Sequence, residues 1–183
     1  MILGADDTGL DGFTVQGGVS PSAGAGMLNV RCGVELVHCR FVNNMAAGRG
    51  GAIANWLAAL IAKDCLFDSN VGRWGGAVHN LFSWGNMSQC RFVDNRASRD
   101  GGAVFNKAAE LTVVDSRFER NAAEGHGGAV CNWQESGTRF SRCIFKDNTS
   151  REGAGAIENA ATTLNCTFRR NRGASGGAIT IGS

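Results

Sequence analysis

Apolar and polar residues alternate along short stretches of this chain, and each stretch is centred on a phenylalanine. Around Phe41, for example, Cys39 and Phe41 are apolar and the intervening Arg40 is charged. A similar alternation surrounds the later phenylalanines of the same motif. A period of two residues is typical of a β-strand that buries one face. The pattern therefore predicts one short, half-buried strand at each of these phenylalanines.

A second apolar motif, Gly-Gly-Ala followed by Ile or Val, recurs between these strands. It begins at Gly50, Gly75, Gly101, Gly127 and Gly176, with the variant Ala-Gly-Ala-Ile at 154–157. Its β-branched residue predicts a second short strand in each repeat, and the apolar residues of 34–36 and 111–113 predict a third. The paired glycines are expected to adopt corner conformations closed to other residues, or to allow close backbone approach.

The phenylalanines recur within Phe-x-x-Asn, and their spacing defines a repeat. Successive phenylalanines of the motif are 26, 25, 26, 27 and 23 residues apart. Three short strands and three corners in each repeat are the geometry of a parallel β-helix. We therefore predict an all-β fold, a right-handed parallel β-helix (solenoid) of about seven coils of roughly 25 residues. Residues 1–183 are expected to form one domain, with degenerate first coils in 1–40 and regular coils in 41–183.

Two other repeat folds fit the pattern less well. Leucine-rich repeats share a period of roughly 20–29 residues, but the interval between the motifs lacks the leucines and helix formers of their convex side. The paired glycines in that interval would destabilise a helix by roughly 1 kcal/mol each. A β-propeller blade would need roughly 40 residues, which is longer than this repeat.

Stacked coils place equivalent residues in columns that run along the solenoid. We expect the phenylalanines to stack, the cysteines two residues before them to act as small buried hydrophobes, and the asparagines to hydrogen-bond from coil to coil. The predicted structural columns are Phe41, Phe67, Phe92, Phe118, Phe145 and Phe168; Asn44, Asn70, Asn95, Asn121, Asn148 and Asn171; and Cys39, Cys65, Cys90, Cys143 and Cys166. A second asparagine column is expected at Asn55, Asn80, Asn106, Asn132 and Asn159.

Composition and charge narrow the class of partner. The chain has 183 residues, of which 27 are glycine and one is proline, and its formal net charge is +2. A charge this close to zero does not favour a nucleic-acid partner. No apolar run approaches the roughly 18 residues of a membrane-spanning helix, so this segment is not expected to insert into a membrane. Asp6 and Asp7 lie close to Met1, so no signal peptide is predicted and cytoplasmic expression is compatible with the sequence.

Candidate chemistry is sparse on the expected outward faces. Carbohydrate cleavage by acid–base catalysis needs two convergent carboxylates. The nearest candidates are Asp68, Asp94, Glu119 and Asp147. They alternate with basic side chains, and mixed charges on a strand face are usually solvating. The three histidines occupy different positions of the repeat, so neither a metal site nor a cofactor is predicted.

Tryptophan supplies the candidate binding residues. Trp56 and Trp133 occupy the same position of the repeat, directly after the second asparagine column. An exposed tryptophan can stack on a sugar or anchor a protein partner, and it can equally cover the core at a corner. We therefore carry Trp56 and Trp133 forward as candidate binding residues.

The Gly-Gly-Ala-(Ile/Val) and Phe-x-x-Asn motifs, repeated in this phase, resemble the repeats of polymorphic outer membrane proteins (Pmp) known from chlamydial autotransporter adhesins. Residues 10–18, Leu-Asp-Gly-Phe-Thr-Val-Gln-Gly-Gly, are similar to the entry coil of bacterial surface proteins that carry such repeats. The resemblance covers nearly the whole chain. It implies a right-handed β-helix passenger domain, exposed on the cell surface or secreted, with an adhesive role.

Two functional hypotheses follow. The first is a non-catalytic β-helical repeat module of a bacterial surface or secreted protein, with an adhesive or structural role and a carbohydrate or a host or cell-surface protein as partner. The alternative is a carbohydrate-active enzyme, a polysaccharide lyase or glycoside hydrolase, or part of one, on the same scaffold. Solenoids normally carry caps, so we also expect a fragment or an uncapped domain that self-associates through its coil ends.

Overall fold

The chain coils into stacked parallel sheets, as the repeat predicts. The computed structural model describes residues 2–3, 8–160 and 162–181; Met1, Asp6 and Asp7, on which the signal-peptide argument rests, lie outside them. Each strand pairs with the strand at the same position of the next coil, and all of these pairings are parallel. Neighbouring coils are therefore one strand spacing apart, about 4.8 Å. The predicted all-β parallel β-helix is confirmed.

Four sheets run the length of the solenoid, and we number them in the order in which a coil visits them. Sheet 1 contains Ile2–Leu3, Met27–Val30, Ile53–Trp56, Val78–Leu81, Val104–Lys107, Val130–Trp133 and Ile157–Glu158. Sheet 2 contains Thr8–Asp11, Gly33–Val37, Ala59–Lys63, Trp84–Ser88, Glu110–Val114, Gly137–Ser141 and Thr162–Leu164. Sheet 3 contains Thr14–Gln16, Arg40–Val42, Leu66–Asp68, Arg91–Val93, Arg117–Glu119, Ile144–Lys146 and Thr167–Arg169. Sheet 4 contains Val19–Ser20, Met45–Ala46, Val71–Gly72, Arg96–Ala97, Ala122–Ala123 and Thr149–Ser150.

The number of coils differs from the prediction: the solenoid has about six coils rather than seven. Six turns pass through all four sheets, because sheet 4 holds six strands whereas the other three sheets hold seven. The last unit is the short one, with 23 residues between Phe145 and Phe168. Its chain reaches the position of sheet 4 only through an isolated bridge between Thr149 and Arg172. After Phe168, the described chain therefore has an isolated bridge where the earlier coils have a sheet 4 strand.

The number of strands in each coil also differs from the prediction, which gave three strands and three corners. Sheet 4 is the additional sheet, and each of its strands is two residues long. Residues such as Met45 and Ala46, which lie outside the three predicted strands, pair in parallel with neighbouring coils: Met45 with Val19 and Val71, and Ala46 with Ser20. A two-residue strand is too short to show an alternating pattern, so periodicity could not reveal it.

The two glycines of each Gly-Gly-Ala motif have different structural roles, as the second coil of the motif illustrates. Gly75 has a φ of +68°, a left-handed conformation that L side chains rarely adopt. Gly76 lies so close to the carbonyl oxygen of Gly102 in the next coil that a Cβ atom would clash with it. The first glycine therefore permits the corner, and the second permits close stacking of one coil on the next.

Other corners are made by non-glycine residues in the left-handed conformation. The residue before each asparagine of the Phe-x-x-Asn motif is one of these: φ is +54° at Asn43, +56° at Ser69 and +54° at Asp94. The ladder asparagines Asn44 and Asn70 do not have a positive φ. The left-handed corner conformation is therefore adopted by the residues before the ladder asparagines, and Asn44 and Asn70 themselves are buried.

Candidate functional site

The inward side chains of sheet 3 form a continuous aromatic column. Adjacent rings from Phe41 to Phe168 have centroids 5.4, 4.7, 4.7, 4.8 and 4.9 Å apart and are nearly parallel. Every ring from Phe41 to Phe145 is completely buried. Full burial of a phenylalanine is worth roughly 1.5–3 kcal/mol. These side chains have no access to a ligand, so the column is structural.

The cysteine column lies beside the phenylalanines. Cys39, Cys65, Cys90 and Cys143 are buried free thiols, whereas Cys166 in the last coil is partly exposed. Each Sγ donates a weak hydrogen bond to the backbone carbonyl two residues earlier in the chain, such as that of Ser141 for Cys143. Burial raises the pKa of the Cys143 thiol to about 11. A protonated, buried thiol is a poor nucleophile, so Cys143 is not a reactive site.

The asparagine ladder is confirmed at the corner between sheets 3 and 4. The Oδ1 atom of Asn95 accepts hydrogen bonds from the main-chain N–H and from the Nδ2 of Asn70, each at 3.0 Å. The Nδ2 of Asn95 also donates to the carbonyl of Phe67, in the preceding coil, at 2.9 Å. The same arrangement continues from Asn44 to Asn171. These buried amides satisfy one another and the corner backbone, so no polar atom of the ladder is free for a ligand.

The second asparagine column lies inside sheet 1. Its amides donate from Nδ2 to the Oδ1 of the next coil at 2.7–2.9 Å, beginning with Asn29, which sequence reasoning missed. Asn159 ends the column differently, because its own φ is +53° and Asn132 donates to its main-chain carbonyl instead. The signal for Asn29 was present, since Asn29 stands 26 residues before Asn55.

The four candidate carboxylates of the enzyme hypothesis lie on the outward side of sheet 3 and at its corner. Asp68 and Glu119 share one column, but Val93 lies between them, so they are roughly 10 Å apart. Asp94 accepts two hydrogen bonds, each 2.9 Å long, from the guanidinium of Arg120 in the next coil. The carboxylate of Glu119 lies 3.8 Å from the same guanidinium. The carboxylates of Asp94 and Glu119 thus both face the guanidinium of Arg120 and do not face a space that a substrate could enter.

Asp147, the fourth candidate, is also paired. Its carboxylate accepts hydrogen bonds of 2.7 and 2.9 Å from Arg170. The Arg170 guanidinium holds the pKa of Asp147 below its ordinary value. A general acid for glycoside cleavage needs the opposite shift, because it must remain protonated near neutral pH. The arrangement is that of a surface charge ladder and lacks the features of a catalytic pair.

Trp56 and Trp133 lie on the outward side of the corner between sheets 1 and 2. Both side chains are about half exposed. They belong to one column, but Leu81 and Lys107 lie between them, so the two rings are three coils or roughly 14 Å apart. Lys107 lies over the ring of Trp133 at 5.9 Å. The two tryptophans therefore do not form one site.

A shallow groove follows the outward face of sheet 2, and Trp84 lies within it. A hollow of about 620 Å³ on one side is lined by Arg31, Glu35, Ile61 and Trp84, among others. A second hollow of about 350 Å³ on the other side is lined by Trp84, Asn86, Glu110, Thr112 and Arg139, among others. The Trp84 side chain is 58% exposed and separates the two. We call this surface the Trp84 groove.

The hollows exist because the residues stacked in register with Trp84 are small on one side and polar on the other. Trp84 pairs with Ala59, which pairs with Gly33, and in the opposite direction it pairs with Glu110 and then Gly137. A Cβ atom placed on Gly33 would meet no heavy atom within 4 Å, so this glycine is not required by packing. The large ring of Trp84 projects from the sheet beyond Ala59 and Gly33 on one side and Gly137 on the other, and it leaves space along its faces.

Charged side chains along the Trp84 groove are available to a ligand. Among the described residues, none of the ion pairs involves Arg31, Glu35, Glu110 or Arg139. Glu35 and Glu110 lie three coils apart, which is roughly 14 Å and exceeds the roughly 9.5 Å that separates the carboxylates of an inverting glycosidase. The groove therefore has the composition of a binding surface, with one exposed aromatic ring and hydrogen-bonding groups on both sides.

Sequence reasoning missed the Trp84 groove although the signal was available. Aligning the third predicted strand of each repeat places Trp84 level with Ala59 and Glu110, at a position that points outward. Trp84 breaks a column that otherwise holds small or polar residues. The predicted columns consist of residues that recur in the sequence, whereas Trp84 does not recur at its position.

Comparison with known proteins identifies the repeat. Residues 38–55 match the model of the Chlamydia polymorphic membrane protein (Chlamydia_PMP) repeat. No curated protein and no solved structure matches the chain. The matched segment contains one sheet 3 strand, the ladder residue Asn44 and the Gly50–Gly51 pair, so the similarity rests on the structural columns. The repeat and the fold together are those of a Pmp-like parallel β-helix.

The repeat match indicates an outer-membrane or surface location for the protein that carries these coils. No helix in the described part of the chain is long and apolar enough to cross a membrane. Among the same residues, no three His, Cys, Asp or Glu side chains are grouped as metal ligands.

Proposed function

We propose that this chain is a non-catalytic binding module of a bacterial surface or secreted protein and that the Trp84 groove binds a carbohydrate chain. The observation that carries the proposal is the position of Trp84, exposed between two hollows whose charged and polar groups have no ion-pair partner among the described residues. Binding sites for small organic ligands combine apolar and aromatic surface with a few well-placed polar groups. A sugar ring offers C–H groups to the aromatic face and hydroxyls to the flanking side chains.

The shape of the groove favours an extended ligand. The outward column beside Trp84 runs through Gly9, Glu35, Ile61, Asn86, Thr112 and Arg139. These six residues lie on successive coils, so the column is roughly 24 Å long. A linear polysaccharide lying along the solenoid axis would contact several coils at once, and each coil would contribute a different side chain.

The paired carboxylates of sheet 3 and the wide separation of Glu35 and Glu110 favour a non-catalytic role over the alternative, a polysaccharide lyase or glycoside hydrolase. Cleavage requires two carboxyl groups on either side of one bond. In the groove, Trp84 and Asn86 lie between the two acids, and neither is an acid or a base. Adhesion through a bound glycan is the function that this surface supports best.

The test is a glycan array run together with a polysaccharide-degradation screen. Trp84→Ala should abolish glycan binding, and Ala59→Phe should weaken it at least tenfold because the new ring fills the larger hollow. Trp133→Ala is the matched control, because Trp133 is about equally exposed but lies outside the groove. Degradation of any polymer by the wild type would refute the non-catalytic role.

Two other results would refute the assignment of the groove. One is wild-type binding that survives Trp84→Ala but is lost in Trp133→Ala. The other is an array without any bound glycan, which would leave a host or cell-surface protein as the partner. Self-association through the coil ends stays a separate prediction, and light scattering that shows a monomer at high protein concentration would contradict it.

A further inference from the structure

A second exposed surface lies on sheet 4, away from the Trp84 groove. Its outward column begins with three apolar side chains in register: Val19 pairs with Met45, and Met45 with Val71. Their exposed fractions are 74%, 49% and 38%, respectively. Arg96 continues the same column in the next coil. Three consecutive exposed apolar residues on a strand face are unusual unless the face contacts something apolar.

Four arginines lie next to this apolar column, at one end of it and on the side toward sheet 1. Arg96 extends it, and the exposed residues Arg49, Arg73 and Arg99 lie on the adjoining turns that lead into sheet 1. The turns are stacked, because Arg49 forms a bridge with Trp74 and the main-chain N–H of Arg99 donates to the carbonyl of Arg73 at 2.9 Å. We call Val19, Met45 and Val71, together with these four arginines, the sheet 4 face.

The four arginines of the sheet 4 face have no ion-pair partner among the described residues, a property that they share with other arginines of the chain such as Arg31 and Arg139. In the described chain, Arg120, Arg142, Arg151 and Arg170 each pair with a carboxylate, whereas Arg49, Arg73, Arg96 and Arg99 appear in no ion pair. Arg73 lies over the ring of Trp74 at 4.4 Å, and this contact does not neutralise its charge.

The carboxylates nearest in sequence to this face are engaged elsewhere. Asp68 accepts a hydrogen bond from Ser69, and Asp94 is paired with Arg120. Asp100 is buried and accepts the main-chain N–H of His126. The hydrogen bonds to Asp68 and Asp100 do not remove the charges of these carboxylates, but the four arginines outnumber them, so the sheet 4 face has a local excess of positive charge although the chain as a whole carries only +2.

We propose that the sheet 4 face binds an anionic lipid surface. Guanidinium groups neutralise lipid phosphates, and the exposed Val19, Met45 and Val71 can enter the boundary between headgroups and acyl chains. A complex with an anionic lipid surface uses both the arginines and the apolar column of the sheet 4 face. An acidic polysaccharide would use the arginines but leave the apolar column in water. A nucleic acid would likewise contact the arginines through its phosphates and leave the apolar column in water.

The placement is compatible with the Trp84 groove. A coil visits the sheets in the order 1, 2, 3 and 4, so sheets 2 and 4 are never neighbours around the coil. A molecule held to a membrane through sheet 4 would present sheet 2 away from that membrane. The two proposals nevertheless rest on different residues and can fail independently.

The test is sedimentation of the protein with vesicles of phosphatidylcholine alone or of phosphatidylcholine mixed with phosphatidylglycerol. The wild type should bind only the anionic vesicles, and added salt should weaken the binding. Arg96→Gln with Arg99→Gln should weaken it roughly 30-fold, because each arginine near an anionic surface contributes about a factor of five. Met45→Thr with Val71→Thr should weaken it several-fold without changing its salt dependence.

The matched control is Arg91→Gln with Arg117→Gln, which removes the same charge from exposed, adjacent positions on sheet 3. It should change vesicle binding by less than about threefold. Equal losses in the two double variants would overturn the proposal, since they would indicate a general response to net charge. Binding to heparin that exceeds vesicle binding and is indifferent to the Met45 and Val71 changes would overturn it in favour of an acidic polysaccharide.

Discussion

The phenylalanine column of this solenoid repeats from coil to coil, whereas the outward column of sheet 2 that contains Trp84 does not. The phenylalanine column of sheet 3 has the same residue at every coil from Phe41 to Phe168. The outward column of sheet 2 that contains Trp84 reads Gly, Ala, Trp, Glu, Gly over five coils. Both columns have the same backbone geometry, since their strands pair in the same parallel register.

This difference indicates which residues contribute to the stability of the fold and which are available for binding. An inward position of the phenylalanine column meets similar neighbours in each coil, so the same side chain fits each time. An outward position is constrained only by solvent or by a partner, so a change from coil to coil has little effect on folding. Residues that recur are therefore expected to dominate stability, and exposed residues that interrupt a column are expected to dominate binding.

The largest effect is expected for Phe92, in the centre of the aromatic column. Phe92→Ala should lower the free energy of unfolding by about 3–5 kcal/mol, because it removes a fully buried ring and leaves a cavity between Phe67 and Phe118. Denaturant unfolding followed by circular dichroism measures the loss. Phe82→Ala is the control, since Phe82 is exposed at a corner, and it should cost less than about 1 kcal/mol. Equal losses would contradict the division between inside and outside.

The next effect concerns the asparagine ladder. Asn95→Ala should lower the free energy of unfolding by about 3 kcal/mol, because both donors of Asn70 lose their acceptor and the carbonyl of Phe67 loses its donor. Asn86→Ala removes the same amide from an exposed position in the Trp84 groove and should change stability by less than about 0.5 kcal/mol. A small loss for Asn95→Ala would mean that water can replace the ladder.

A smaller effect depends on pH and on His79, which is buried and stacks on Phe105 at 5.4 Å. Burial, together with the charges of Arg49 and Lys107, lowers the pKa of His79 to about 3. The unfolded chain takes up a proton near pH 6.5 and the folded chain does not, so stability should fall as the pH falls from about 6.5 toward 3. The loss between about pH 7 and pH 5 should be about 2 kcal/mol.

His79→Phe should remove most of this acid sensitivity. Phenylalanine already occupies the equivalent position of the next coil, at Phe105, so the substituted ring is expected to fit. Thermal unfolding of both proteins across this pH range makes the comparison. An unchanged pH dependence in the variant would show that another group, such as a paired carboxylate, is responsible.

The smallest effect on folding is expected in the Trp84 groove. Trp84→Ala should change the free energy of unfolding by less than about 0.5 kcal/mol, because the residue is more than half exposed and lies in register between the small Ala59 and the exposed Glu110. The same variant should lose glycan binding entirely. A large loss of stability would instead make Trp84 a structural residue and remove the strongest support for the groove.

The buried columns were predictable because each was sampled five or six times. The recurrence of Phe-x-x-Asn showed that Phe92 and Asn95 are stacked, and recurrence also gave the parallel β-helix. Sheet 4 was missed because two residues such as Met45 and Ala46 cannot show a period. The coil count was too high by one because a repeat in sequence, such as the last one, can be an incomplete turn in space.

The sequence by itself determined which residues stack, since a fixed period and a β-strand pattern leave only one way to bury the phenylalanines and pair the asparagines. Only the tertiary structure decided what the outward residues do. It paired Asp94 with Arg120 and Asp147 with Arg170, across coils that lie 26 and 23 residues apart in the chain. It also placed Trp84 between Ala59 and Glu110, and it left the four arginines of the sheet 4 face without an ion-pair partner among the described residues. Exposed side chains make no repeated contacts, so their surroundings depend on the register between coils.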